Sequence, residues 1–194
     1  MVWHRRFKLD DPVYIFSDPH ISHTNIVSGV SKWTDKSGCR DFPSVDEMNA
    51  AIHRSIYSLP KGSILICLGD MKFQQKNELP GIIASWRQHL GEIHILWGNH
   101  DGGIYQYKDL FDSYHHYLEI VVGKRLWCLM HYPIWSWNDM ARGSYMVSGH
   151  THGSLPRHGK AVDMDWGIWR KPLSLQEIDE ILSKRDLSKV DHHG

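Results

Sequence analysis

Five short apolar runs in this chain each end on a polar motif, and that regularity constrains the fold more than any other feature. Val13-Tyr14-Ile15-Phe16 leads into Asp18 and His20, and Ile64 to Leu68 leads into Gly69-Asp70. Ile93 to Trp97 precedes Gly98-Asn99-His100-Asp101, Leu126 to Met130 precedes His131, and Tyr145 to Ser148 precedes Gly149-His150-Thr151-His152. Near-continuous apolar runs of this length are the signature of strands buried on both faces, and in α/β sheets the ligand crevice lies outside the carboxyl ends of such strands. Five strand ends delivering five polar sets predict one site assembled from several loops.

Helical patterns separate some of the runs. Ser44-Val45-Asp46-Glu47 has the spacing of a capping box, and Val45, Met48, Ile52, Ile56 and Leu59 follow at helical intervals until Pro60-Lys61-Gly62. A second helix is predicted from about Glu78 through Leu90, burying Ile82, Ile83, Trp86 and Leu90 before Gly91. A third begins at Ser174-Leu175-Gln176-Glu177, with Ile178, Ile181 and Leu182 on its apolar side. From Tyr117 to Ser148 the runs follow one another with little helix between, so the second half reads as consecutive strands. The expectation is one layered α/β domain over residues 1–184 and a polar tail over 185–194 that frays.

Lys+Arg and Asp+Glu are both 22 in 194 residues, so no basic excess points to a long nucleic-acid polymer. The three cysteines, Cys39, Cys67 and Cys128, have no paired spacing, and two of them lie inside apolar runs. A reducing compartment follows. With no signal-peptide pattern and no apolar run of membrane-spanning length, the expected location is soluble and cytoplasmic.

The polar sets share a chemistry. Carboxylate oxygen and neutral imidazole suit borderline divalent ions such as Mn²⁺, Zn²⁺, Fe²⁺ or Co²⁺, and no thiolate accompanies them. Asp18 and His20 are two positions apart, as are His150 and His152, so on extended backbone each pair points to one side. Asp70 follows a glycine, where a carboxylate can bridge two metals, and Asn99 offers a neutral carbonyl oxygen. Alone, each motif is weak.

In this order they resemble the calcineurin-like metallophosphoesterases, whose signature runs D-x-H, GD, GNH[DE], a lone His, then GHxH. The resemblance spans about Val13 to Ile178 and is nearest to the small stand-alone members of bacteria and phages. Those share an opening similar to Ser17 to Asn25, a His-Tyr-Pro like His131-Tyr132-Pro133, and a tail like Val162-Asp163-Met164-Asp165-Trp166 followed by Pro172-Leu173-Ser174. The resemblance implies a four-layer α/β/β/α sandwich with two mixed sheets. It also implies two divalent metal ions, manganese preferred, with nickel, zinc, iron or cobalt as alternatives. Asp18, His20 and His152 would hold the first ion, Asn99, His131 and His150 the second, and Asp70 would bridge them. His100 would be the catalytic histidine, not a ligand, with Asp101 as its orienting partner. His23 would lie behind a ligand or against the substrate.

The expected activity is hydrolysis of phosphoester bonds by a metal-bridging hydroxide, with His100 as general acid. A phosphodiesterase acting on small nucleotide-type substrates is preferred. The alternatives are a nucleotide phosphomonoesterase, a nuclease on DNA or RNA and, last, a non-catalytic interaction scaffold. Trp135, Trp137, Trp166 and Trp169 are either core or a cleft wall that could stack a nucleobase. Lys36, Arg40, Lys72, Arg142 and Arg157 read by default as solvated surface charge. For His4, His53, His89, His94, His115, His116, His158, His192 and His193 no site role is expected.

Overall fold

The structure is a computed structural model that describes residues 5–187. In chain order its elements are β1 (Arg5–Phe7), β2 (Val13–Phe16), α1 (Val45–Tyr57), β3 (Ile64–Cys67), α2 (Leu79–Arg87), β4 (Glu92–Leu96) and β5 (Ser113–His115). There follow β6 (Tyr117–Val122), β7 (Arg125–Met130), β8 (Tyr145–Ser148), β9 (Ala161–Asp163), α3 (Trp166–Trp169), β10 (Leu173–Ser174) and α4 (Leu175–Ser183). All five expected runs are strands.

They belong to two five-stranded mixed sheets, ordered β10-β2-β3-β4-β5 and β1-β6-β7-β8-β9. In the first sheet β2 to β5 run parallel, and β10 is antiparallel at the edge. In the second, only β6 and β7 pair antiparallel, as their short Gly123-Lys124 connection requires.

Alternation along the strands divides the core. Phe16, Leu65, Cys67, Ile93 and Ile95 face α1 and α2, which contribute Met48, Ile52, Ile56, Ile83 and Trp86. From the opposite face of the same strands, Ile15, Ile66 and Leu96 pack with Ile120, Trp127, Leu129, Tyr145 and Val147 of the second sheet. α4 adds Leu175, Ile178 and Leu182 to that inter-sheet core. The outer face of the second sheet, with Cys128, Met146 and Ala161, is covered by Trp137 and Met140 from the loop after β7.

The helix caps follow the sequence. Ser44 accepts the Glu47 amide, and at Ser174 both halves of the capping box are made. α2 is shorter than expected: residues 76–78 form a separate 3₁₀ turn, and the helix stops at Arg87. Gly91 is needed there for close approach, because a Cβ would lie 2.6 Å from the Gly62 carbonyl oxygen. Arg185, the first residue of the expected polar tail, is hydrogen-bonded to the domain. Lys160 Nζ donates to the carbonyls of Leu182 (2.9 Å), Ser183 (3.2 Å) and Arg185, while the Arg185 guanidinium donates to the Ala161 carbonyl. Residues 188–194 of that tail, with His192 and His193, lie outside the described residues, as does His4.

Candidate metal centre

The loops leaving β2, β3, β4, β7 and β8 converge. Two groups of potential ligand atoms form, Asp18 with His20 and His152, and Asp70 with His131 and His150, each within 4.8 Å. Asp70 lies between them: its Oδ2 is 3.7 Å from His20 Nε2 and 3.6 Å from His131 Nε2. Asn99 Oδ1 is 3.0 Å from His131 Nε2. All seven residues expected as ligands are therefore brought together.

The backbone is bent to place them. Asp18, His20, Asp70, His150 and His152 all have positive φ, between 48° and 72°, a conformation that costs non-glycine residues energy and clusters at functional sites. Glycines permit the tight approach. A Cβ at Gly98 would strike the Asp70 carboxylate, and one at Gly149 would strike Ser17 Oγ and Asp18 Oδ2.

The electrostatics fit a cation better than any group present. Asp18 Oδ1 and both His20 ring nitrogens are buried without a hydrogen-bond partner, an expensive arrangement unless a ligand satisfies it. His131 Nδ1 lies 2.8 Å from the Leu68 carbonyl, which can only accept, so Nδ1 donates. In the neutral ring this leaves the Nε2 lone pair facing Asn99 Oδ1 and Asp70 Oδ2, so three acceptors converge. His152 Nδ1 is fixed likewise by Asp165 Oδ2 at 2.7 Å. Burial lowers the His20 and His150 pKa values, although Asp18 opposes the shift in both, favouring the neutral, ligating imidazole. Burial would raise the Asp18 carboxyl, yet the attraction of His20, with smaller effects of His131 and His152, holds it below its ordinary value.

His100 stands at the mouth of the group. Its side chain is 42% exposed, its Nε2 is 3.9 Å from Asp70 Oδ2, and its backbone N–H donates to Asp70 Oδ1 at 2.9 Å. A partly open imidazole beside, but outside, both ligand groups is suited to proton transfer. His23 is buried, its ring stacked on Phe73 at 3.7 Å and 5.4 Å from His20. Burial, then the charge of His20 and His100, pushes its pKa down to about 3, keeping it neutral.

Asp101 requires a correction. Its carboxylate accepts the amides of Gly98 (2.8 Å) and Asp70 (2.9 Å) on Oδ2 and that of Met71 (3.0 Å) on Oδ1; it makes no hydrogen bond to the His100 ring. It ties the β3 and β4 exits together and does not orient His100. Burial foremost, then Asp70, raises its pKa to about 6 against the opposing pull of these amides. Asp101→Ala would strand three amides and should cost roughly 3 kcal/mol. We expect a melting temperature lower by roughly 6–12 °C. A loss of turnover at unchanged melting temperature would instead restore the orienting role.

The remaining aromatic and charged residues divide between the core and the surface. Trp137 and Trp166 are core, Trp169 is half-buried with its Nε1 donating to the Asp163 carbonyl, and Trp135 is exposed and packed on His158. Exposed Tyr132, edge-on to His131 and His150, is the aromatic at the second group. Arg142 is solvated as expected, but Arg40 and Lys72 are buried. Lys72 donates to Ser22 Oγ (3.0 Å) and Glu78 Oε2 (3.1 Å). Arg157 pairs with Asp163 at 2.9 Å, and Asp163 also accepts from Thr151 and Gly153, holding the loop that carries His150 and His152. Asp163 and Asp165 leave β9, so the rule that marked the other five strand ends applied here too. His53 and His94 are engaged structurally, by Trp86 and by Glu92 with Ser113.

Comparison with protein-family models finds no match, and comparison with curated proteins finds none. Among solved structures, the chain is similar to a crystal structure of a protein of unknown function from Aquifex aeolicus. The TM-score is 0.63 at 21% identity, covering 87% of this chain and 98% of that one. At that identity the likeness speaks to the fold alone.

Proposed function

We propose that this chain is a dinuclear metal-dependent phosphoesterase of the calcineurin-like kind. The observation that carries the reading is the position of Asp70, one carboxylate oxygen facing the imidazoles of both groups among acceptors that have no donor to share. Asp18, His20 and His152 would hold one ion, Asn99, His131 and His150 the other, and Asp70 would contact both; manganese is preferred, with nickel, zinc, iron and cobalt as alternatives. Divalent ions held there supply charge for phosphoryl oxygens and make water a nucleophile near neutral pH.

The chain's own residues do the rest. Nδ1–H donation from His131 to Leu68 and from His152 to Asp165 directs the opposite ring nitrogens into the site. His100, when protonated, donates to the leaving oxygen, and the half-buried Phe73 closes one side of its ring at 4.9 Å. The architecture is read as the α/β/β/α sandwich, α1 and α2 forming one outer layer and the Trp137–Met140 segment standing where the other would be. Among the described residues no helix is long and apolar enough to cross a membrane. The free thiols of Cys39, Cys67 and Cys128 support a reducing, cytoplasmic setting.

The substrate class we favour is a small phosphodiester, nucleotide-like. A matrix of Mn²⁺, Ni²⁺, Zn²⁺, Co²⁺ and Mg²⁺ against cyclic nucleotides, mononucleotides, dinucleotides and oligonucleotides tests this. Metal-dependent hydrolysis of the small diesters is expected. Preference for mononucleotides or for oligonucleotides would replace the diesterase reading with a phosphomonoesterase or a nuclease, and an inert metal-loaded protein would leave only the scaffold.

A further inference from the structure

Arg40 sits on the loop before α1, far in sequence from every expected ligand except the Asp18-His20 turn, yet it is 5% exposed. A guanidinium cannot shed its charge, so its burial demands partners for its donors. It finds them on both halves of one ligand group. Nη1 donates to the Pro19 carbonyl at 2.8 Å and Nη2 to the Asp18 carbonyl, inside the turn whose Asp18 and His20 have positive φ. Nη2 also donates to Asp165 Oδ2 at 3.0 Å, the same oxygen that accepts His152 Nδ1–H at 2.7 Å. Trp166 packs against the guanidinium at 5.6 Å, and a Cβ at Gly167 would lie 2.7 Å from Arg40 Nε, so the fork is closely enclosed. Asn99, His131 and His150 have no hydrogen bond to Arg40.

We infer that Arg40, acting through Asp165, is the positioning residue of the first ion's ligand group. It clamps the Asp18-Pro19-His20 turn from behind and orients His152 from the other side of the same ion. The inference rests on the functional reading above for the ion itself, while the clamp stands on the bonds just described. Lysine in its place keeps the charge but cannot reach two carbonyls and a carboxylate at once from one planar fork.

The test is Mn²⁺ binding by the full chain, measured by competition with a fluorescent chelator, for the wild type, Arg40→Lys, Asp165→Asn and the double variant. Outer partners of metal ligands typically govern affinity by roughly 10–100-fold. In each single variant one of the two binding steps should weaken by that much and the other remain unchanged. The double variant should lose less than the sum of the two single losses, because the Arg40 and His152 donors share one oxygen of Asp165 while the Arg40 bonds to the turn carbonyls bypass it. Equal weakening of both steps, no weakening, or additive losses in the double variant would overturn the assignment. If Arg40→Lys does not fold, Asp165→Asn decides alone: two unchanged binding steps refute the clamp. A folded wild type that takes up no Mn²⁺ would overturn the functional reading, and the assignment with it.

Discussion

Asp70→Asn is expected to abolish paired metal binding and to lower phosphoester turnover by roughly 10³-fold or more, corresponding to about 4 kcal/mol of lost charge stabilisation. The physical basis is local. Asp70 Oδ2 is the oxygen nearest both groups, and Oδ1 is already engaged by the His100 amide, so the amide substitution keeps that bond and removes only the anionic oxygen between the groups. The fold should survive, because the Asp70 backbone N–H still donates to Asp101. Metal content by elemental analysis should fall from two ions per chain to one or none, with a folded far-ultraviolet spectrum retained. Full activity with two ions bound would show that Asp70 does not bridge.

His100→Ala should separate chemistry from binding. The imidazole is partly exposed, accepts no hydrogen bond and touches Phe73 and His20 only ring to ring, so its loss disturbs little. Removing a general acid typically costs 10²–10⁴-fold, and a fall in kcat of about that size is expected with two ions still bound. The loss should be smallest for esters whose leaving group needs no proton, such as nitrophenyl esters, compared with an alkyl or nucleoside alcohol. A variant that loses its metal while keeping turnover on re-metallation would make His100 a ligand and remove its catalytic assignment.

The strand ends were legible because burial on two faces leaves an uninterrupted apolar run, as in Ile64 to Leu68, and the first polar residue after it has to be where the sheet ends. The seven candidate ligands came from the resemblance that these motifs carry in their order, and the structure brings the same seven residues together. Charge burial was not legible. Arg40 pairs with Asp165, 125 residues away, a partner that local composition does not show; Lys72 pairs with nearby Glu78, but its burial also draws on Ser22, 50 residues away. The role of Asp101 depends on three amides from two different strand exits, which sequence spacing cannot show. Residues 101–110 form 3₁₀ turns with a kink at Tyr107, and Gly102-Gly103 there interrupt any helical period in the sequence. The tryptophans divided by where their loops landed: Trp137 covers the outer face of the second sheet and Trp166 fills the α1 side, leaving Tyr132 and Phe73 as the rings beside the ligand groups.

Crystals of the chain grown with Mn²⁺, with anomalous-difference maps collected at the manganese edge, test the central claim most directly. Two peaks are predicted, one among Asp18, His20 and His152 and one among Asn99, His131 and His150, with Asp70 touching both. Peaks elsewhere, or an ion-free cluster at saturating Mn²⁺, would contradict the account.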